Sequence, residues 1–232
     1  METEWFKKFG TPSSPGTKVY TILGHINATG LIEVPMGVSI REIVEEIGGG
    51  VADGKRFKAV QVGGPSGGCV PAFLAHTPVD YEALTSVGAI MGSGGLVVLD
   101  DSDCMVEIAR YFLSFTQAES CGKCVPCRVG TKQMLDILED ITKGKGKLGD
   151  LDLLIDLAES VKAGSLCALG GTASNPVLTT IRYFRDEYEE HIAQKKCRAL
   201  VCTELISYYI LAEKCQGCDK CRVNCPSGAI YK

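Results

Sequence analysis

The chain has 232 residues and a formal net charge of −4, from 24 Lys and Arg against 28 Asp and Glu. This length is enough for one large domain or two ordinary ones that bury a core without disulfide help. Nucleic-acid-binding proteins usually carry a clear excess of Lys and Arg, so the charge argues against a nucleic-acid partner. No stretch approaches the about 20 consecutive apolar residues of a membrane helix, and residues 1–8 are too polar for a signal peptide. The sequence predicts a globular cytoplasmic protein without a membrane span.

The first hundred residues alternate strand-like runs with turn residues. Residues 1–16, rich in Gly, Pro and Ser, are predicted to be a lead-in segment. A helix is predicted to begin at Ser39, because Glu42 three residues later completes a capping box. Strands are predicted at residues 18–26, 31–34 and 57–62, and the range 92–100 contains one more, the run LVVL. We therefore expect a small sheet domain over residues 17–100.

After Asp100 the hydrophobic period changes to that of helices. Four amphipathic helices are predicted, at residues 105–117, 129–142, 151–162 and 176–192. Together they predict a four-helix bundle over residues 101–195. A fifth helix, at residues 198–211, is expected to bridge to the tail, so that the last region covers residues 196–232.

The twelve cysteines are too many to be idle thiols in a reducing compartment, where disulfides are rare. Most of them should therefore hold metal. Two groups have the short, regular spacing that ligation requires. The first group is Cys121, Cys124 and Cys127, and the second is Cys215, Cys218, Cys221 and Cys225. Cys69 and Cys104 stand alone, and we expect both to be packing residues.

The first cysteine group predicts a 4Fe-4S cluster. Two-residue spacers let Cys121, Cys124 and Cys127 converge from one loop, and the fourth ligand must come from elsewhere. Cys167 lies between the third and fourth predicted helices, and a bundle returns that loop to the same end. The alternative is a structural zinc site, which more often uses two separated cysteine pairs.

The tail motif C-x₂-C-x₂-C-x₃-C-P resembles one half of a bacterial two-cluster ferredoxin, in which the fourth cysteine ligates the other cluster. No second motif follows it before Lys232, so we expect an incomplete iron–sulfur site. The first three cysteines of the motif lack their expected fourth ligand. A zinc knuckle is the alternative.

A separate zinc site is suggested by His191, Cys197 and Cys202, which lie close together in the sequence. Buried core cysteines are the competing and favoured explanation, because free Cys packs as a small hydrophobe. His25 and His76 have no partner at metal-ligand spacing, so no chemical role is expected for them.

Several longer runs carry a family resemblance that covers nearly the whole chain. They are ESCGKCVPCR at 119–128, SLCALG at 165–170, NPVLTTIRYFRDEY at 175–188, GGPSGG at 63–68 and GAIMGSGG at 88–95. In these runs the chain resembles the NADH-oxidising, FMN-carrying subunit of respiratory complex I, a subunit type also found in NAD-linked hydrogenases and formate dehydrogenases. The resemblance implies an α+β chain with a β-grasp-like (SLBB-type) sheet domain, a helical bundle that holds the cluster, and an incomplete ferredoxin-like tail.

The resemblance also implies a relay in which NADH reduces FMN and the cluster takes electrons from the flavin singly. It places Ala168 and Leu169 near the flavin. The implied partners are an upstream FMN- and NADH-binding domain or subunit, a thioredoxin-like 2Fe-2S subunit, and a hydrogenase or formate dehydrogenase subunit. The family's FMN and NADH domain lies before the part that resembles this chain, and residues 63–68 lack the helix of a phosphate-binding loop. We expect a fragment or a split subunit that does not oxidise NADH alone.

Two functions of different classes follow. The first is an electron-transfer segment of an NADH-linked oxidoreductase that accepts electrons from a separate FMN unit. The rival is a zinc-stabilised adaptor that binds a partner and performs no redox chemistry.

Overall fold

In a computed structural model of the chain, the described residues are 3–206, 208 and 210–230. One half is a five-stranded sheet in the order β2-β1-β5-β3-β4. Its strands are β1 (Thr17–Gly24), β2 (Gly30–Pro35), β3 (Phe57–Val62), β4 (Gly68–Pro71) and β5 (Gly95–Asp100). β1 is antiparallel to β2 and parallel to β5, while β3 is antiparallel to both β5 and β4. Strand β4 was not predicted, because its four residues follow a glycine-rich turn and are all buried, without alternation.

The two faces of the sheet are covered differently. Tyr20 and Ile22 alternate with more exposed neighbours along β1, and they point into the core of this half. Ala59, Cys69 and Leu99 lie on the opposite face, where they pack against Met105 of the helical half. The central strands are therefore buried on both sides.

The predicted capping box at Ser39 is present. Ser39 N and Oγ donate to Glu42 Oε2 at 2.9 and 2.7 Å, and Glu42 N donates to Ser39 Oγ at 3.2 Å. The following turns, Glu42–Ile47, are π-helical and end at Gly48. These hydrogen bonds fix the first turn of the helical segment that packs on the sheet through Ile43 and Val44.

The other half is the predicted helical bundle, and the α+β class is confirmed. Its helices are α3 (Met105–Ala118), α4 (Thr131–Thr142), α5 (Asp150–Gly164), α6 (Ala168–Ala173) and α7 (Asn175–Glu189). Three short helices lie outside the bundle: α1 (Thr3–Phe6), α2 (Tyr81–Ser86) and α8 (Lys220–Val223). π-helical turns at Pro126–Gly130 and Glu190–Gln194 adjoin α4 and α7. The core includes Leu113, Met134, Leu138 and Leu154. Of the helices in the described part of the chain, none is both long enough and apolar enough to cross a bilayer.

The predicted helix at residues 198–211 is wrong. Over the described part of that range the structure shows an irregular loop and a 3₁₀ turn, Thr203–Leu205, while residues 207 and 209 lie outside the described residues. Lys195 and Leu200 have φ values of 52° and 55°, in the left-handed region that a helix does not use. The loop instead brings Cys197 and Cys202 into the core of the bundle.

The two halves meet at the buried side chain of Glu187 on α7. Lys58 Nζ of β3 lies 2.6 Å from Glu187 Oε1, and Met105 N at the start of α3 donates to Oε2 at 3.0 Å. The Lys58 and Glu187 side chains are only 13% and 3% exposed. A further hydrogen bond runs from Cys69 N of β4 to Thr179 Oγ1 of α7, at 2.9 Å. Polar contacts thus fix α7 and α3 against the sheet.

We predict that Glu187→Ala lowers the free energy of unfolding by about 3–5 kcal/mol, because the buried Lys58 ammonium loses its carboxylate partner and keeps only the Asp103 carbonyl oxygen. Urea denaturation followed by circular dichroism measures the change. The matched control is Glu189→Ala, which removes an exposed carboxylate of the same helix that pairs with Arg185. The control should change stability by no more than about 0.5 kcal/mol. Equal losses in the two variants would contradict the assignment.

Candidate metal centres

The loop after α3 carries Cys121, Cys124 and Cys127 in a constrained turn. Gly122 adopts φ +74°, which favours glycine, and its N–H donates to Ser120 Oγ at 3.3 Å. Its carbonyl oxygen accepts a hydrogen bond from Arg128 Nη1. Cys121 is exposed, Cys124 is half-buried and Cys127 is buried. The three thiols of this loop therefore range from solvent-exposed at Cys121 to buried in the protein at Cys127.

The segment that carries Cys167 packs against this loop. Hydrogen bonding from the Leu166 backbone is the main cause that lowers the pKa of the Cys124 thiol. A side chain at Gly170 would collide with Ser165, and its Cβ would lie 3.1 Å from Cys127 Cβ. Glycine at this position therefore permits α6 to approach the cysteine loop.

These features fit a 4Fe-4S cluster. Three thiols from one loop face a segment that offers a fourth cysteine, and α6 of that segment approaches the loop closely at Gly170. Ala168 and Leu169, expected near a flavin, form the first turn of α6 directly after Cys167. Cys167 is exposed, as is Cys121, so this edge of the site reaches the protein surface.

A second site lies at the other end of α3 and is entirely buried. His191 Nε2 is 3.3 Å from Cys104 Sγ and 3.4 Å from Cys202 Sγ, and the two sulfurs are 3.8 Å apart. With Cys197, all four ligand atoms lie within 4.8 Å of one another. We call Cys104, His191, Cys197 and Cys202 the tetrad. Cys104, expected to be a packing residue, is thus part of it.

The spacing of the tetrad matches a tetrahedral zinc ion. Zn–S and Zn–N bonds of about 2.3 and 2.0 Å place sulfurs about 3.8 Å apart and sulfur about 3.5 Å from nitrogen. His191 Nδ1 lies 2.7 Å from the Glu187 carbonyl oxygen, to which it donates, so Nε2 is left as the free ligand atom. Glu187 thus orients His191 through its backbone carbonyl, in addition to the two contacts that its side chain makes with Lys58 and Met105.

The four groups of the tetrad strongly shift one another's pKa values. Burial opposes the charged form of His191, yet the nearby Cys104 and Cys197 thiols raise its pKa to about 10. Hydrogen bonds from Cys104 and Cys202 hold the pKa of Cys197 far below its ordinary value. A zinc ion that bound here would displace the proton from His191 Nε2 and compensate the buried thiolate charge in its place.

The tail cysteines are placed differently. Cys215, Cys218 and Cys221 are exposed, and Cys225 is half-buried. Hydrogen bonds from the Ser227 hydroxyl and from backbone N–H groups lower the pKa of Cys225 to about 7. The tail thus presents thiols to solvent, unlike the buried tetrad.

His25 has charged neighbours that its sequence position did not suggest. Nδ1 lies 3.5 Å from Asp100 Oδ2 and Nε2 lies 3.4 Å from Asp103 Oδ1. Lys55 Nζ lies 3.3 Å from the same Asp100 oxygen. Each ring nitrogen faces a different carboxylate and a cation is already present, so the group is an ion-pair network rather than a metal site.

Three family models match the chain. Residues 19–70 match the SLBB domain, residues 107–191 match the NADH-ubiquinone oxidoreductase-F iron-sulfur binding region, and residues 208–231 match the 4Fe-4S binding domain. The same three regions were expected from the sequence, in the same order.

Relatives with assigned names agree with these matches. The NADP-reducing hydrogenase subunit HndC of Solidesulfovibrio fructosivorans is 53% identical over 227 residues, which are 98% of this chain and 46% of that protein. An F-type subunit of the NADH-quinone oxidoreductase of Rhizobium meliloti (strain 1021) is 40% identical over 193 residues, which are 83% of this chain and 46% of the relative. The chain spans about half the length of these curated relatives.

A solved structure shares the fold. The NAD+-reducing NiFe-hydrogenase in its air-oxidized state gives a TM-score of 0.74 at 31% identity, over 90% of this chain and 33% of the other. The relatives are subunits of oxidoreductases and hydrogenases, and none of these matches supports a zinc-stabilised adaptor without redox chemistry. The chain is therefore the counterpart of the C-terminal region of the F-type subunits of NADH-quinone oxidoreductases and of the hydrogenase subunit HndC, with an SLBB domain followed by two iron–sulfur regions.

Proposed function

We propose that this chain is the electron-transfer segment of an NADH-linked oxidoreductase. One 4Fe-4S cluster is held by four thiolates, those of Cys121, Cys124, Cys127 and Cys167. The observation that carries the proposal is the packing of the Cys167 segment on the cysteine loop, where a Cβ at Gly170 would lie 3.1 Å from Cys127 Cβ. The cluster supplies one-electron chemistry when bound. The residues of the chain ligate it, donate hydrogen bonds to its sulfurs and bury one side of it at Cys127.

The flavin unit is proposed to dock on the surface around this site. Val125 and Leu166 flank the cysteines and are 58% and 77% exposed, so apolar surface is exposed beside the site, as is typical of interaction surfaces. Ala168 and Leu169 complete this face. The partner is an FMN- and NADH-binding domain or subunit, which holds both of these cofactors. NADH oxidation therefore requires that unit and does not occur in this chain alone.

Further partners follow from the same proposal. A thioredoxin-like 2Fe-2S subunit and a hydrogenase or formate dehydrogenase subunit would complete the electron path. The tail is proposed to hold a second iron–sulfur site through Cys215, Cys218 and Cys221, with Cys225 committed to another cluster. The exposure of the first three thiols supports this, because they remain available for a ligand from elsewhere.

The boundaries of the domains along the chain are also a proposal. Residues 17–100 form the SLBB-type domain and residues 101–195 form the cluster-binding bundle, with residues 1–16 leading in and residues 196–232 forming the tail. Two separate hydrophobic cores, one in the sheet half and one in the bundle, support the boundary near residue 100. Cys197, Cys202 and Leu205 also pack into the bundle core, so the start of the tail is joined to the bundle. All twelve cysteines are free, which supports a cytoplasmic location.

For the tetrad we infer a structural zinc ion. Four buried ligands leave no open position for a substrate, which is typical of structural rather than catalytic zinc. The ion would hold the loop after α7 against the start of α3, where the predicted helix is replaced by left-handed turns. A structural zinc ion at the tetrad is therefore compatible with a redox function at the cysteine loop.

The cluster assignment predicts a specific loss of iron. The chain, reconstituted anaerobically with iron and sulfide, should be brown, absorb broadly near 400 nm and bleach on reduction. Cys127→Ala should lower bound iron and acid-labile sulfide by about four atoms each per chain. Cys69→Ala, which truncates an equally buried cysteine, is the control and should keep both. Wild-type iron content in Cys127→Ala would refute the assignment.

The zinc assignment predicts one zinc per chain in protein purified without added metal. Cys202→Ala should lose it and lower the melting temperature, because metal binding supplies folding free energy at such a site. Elemental analysis and thermal unfolding measure the two effects. Cys69→Ala again controls for loss of a buried sulfur and should retain the zinc. A tetrad variant that keeps its zinc would show that the metal lies elsewhere.

A further inference from the structure

Ser120 occupies a position between the end of α3 and the cysteine loop that the ligand motif does not explain. Its Oγ lies 3.3 Å from the Sγ of Cys127. The same oxygen accepts a hydrogen bond from Gly122 N, also at 3.3 Å. The hydroxyl is therefore held by the loop backbone and faces the most buried of the three loop thiols.

The direction of the Ser120–Cys127 hydrogen bond is determined once Cys127 binds iron. A ligating cysteine is a thiolate and has no proton to donate. The Gly122 N–H already occupies one lone pair of the Ser120 oxygen, so the serine O–H remains available as the donor. In the metal-loaded chain the bond therefore runs from the Ser120 hydroxyl to the Cys127 sulfur.

Such a bond acts on the redox equilibrium because reduction adds negative charge to the cluster and its sulfurs. A donor stabilises the reduced form more than the oxidised form, which raises the reduction potential. The effect is largest where solvent does not screen it, and Cys127 is only 5% exposed. Cys121 and Cys167 are exposed, so solvent screens a hydrogen bond to either sulfur more strongly.

We propose that Ser120 is a tuning residue that raises the reduction potential of the cluster through its hydrogen bond to Cys127. This rests on the proposed function, since it requires the cluster at Cys121, Cys124, Cys127 and Cys167. Ser120 is not a ligand. Its role is to make electron acceptance from a donor docked at the exposed edge more favourable.

The test is a potentiometric titration of the reconstituted chain with dithionite and mediators, read by electron paramagnetic resonance of the one-electron reduced cluster. The full chain carries Cys218→Ser and Cys221→Ser, so that only one cluster contributes. Ser120→Ala should shift the midpoint potential to a more negative value. A tenfold change in the reduction equilibrium, about 59 mV, is the expected size for a bond to a charged acceptor.

Two further variants separate the effect of the hydroxyl from the effect of side-chain volume. Ser120→Thr keeps the hydroxyl donor and should keep the midpoint potential. Ser120→Val has nearly the shape of the threonine variant but no hydroxyl, so its midpoint potential should shift like that of Ser120→Ala. Ser114→Ala is the surface control, because Ser114 Oγ donates to the Tyr111 carbonyl oxygen on the same helix. It should leave the potential unchanged.

The outcomes distinguish this inference from the proposed function. Absence of the cluster from the parent chain refutes the proposed function itself. A normal cluster in the parent, with the same potential in Ser120→Ala and Ser120→Val, overturns only the tuning role. Failure of both hydroxyl-free variants to assemble the cluster, while Ser120→Thr succeeds, also overturns it, because Ser120 would then act in assembly.

Discussion

The carboxylate of Glu187, buried at the junction of the sheet and the bundle, is the contact on which the arrangement of this chain depends. It pairs with Lys58 of the sheet and accepts from the backbone of Met105, which follows Cys104. Its own carbonyl oxygen orients His191. One residue thus fixes the sheet, the start of α3 and a ligand of the tetrad in relation to one another. A buried ion pair of this kind contributes little net stability compared with apolar packing, but it tolerates only one geometry.

Helix α3 separates the two proposed metal centres. It begins directly after Cys104 of the tetrad and ends two residues before Ser120 of the cluster loop. At 1.5 Å per residue, its 14 residues place the centres about 21 Å apart along the helix. Zinc has no redox chemistry, and its distance from the cluster agrees with a purely structural role. On this proposal the two ends of α3 have separate tasks, with folding of the tail connection at one end and electron transfer at the other.

The sequence predicted those features that depend on local pattern. Hydrophobic period located the four main helices to within a few residues, and the spacing of Cys121, Cys124 and Cys127 indicated their shared loop. Features that depend on tertiary packing were missed. Cys104 is separated from His191 by 87 residues, so no spacing rule connects them. The helical pattern at 198–211 failed because the thiols of Cys197 and Cys202 are drawn into the core, which overrides a local preference for helix.

The central claim is that this chain holds two different metals at opposite ends of one helix. The most direct measurement is anomalous diffraction from crystals of the anaerobically reconstituted chain, with data collected above and below the iron and zinc absorption edges. We expect an iron peak bounded by Cys121, Cys124, Cys127 and Cys167, and a single zinc peak inside the tetrad. An iron peak that excludes Cys167, or zinc in place of iron at the cysteine loop, would contradict the account.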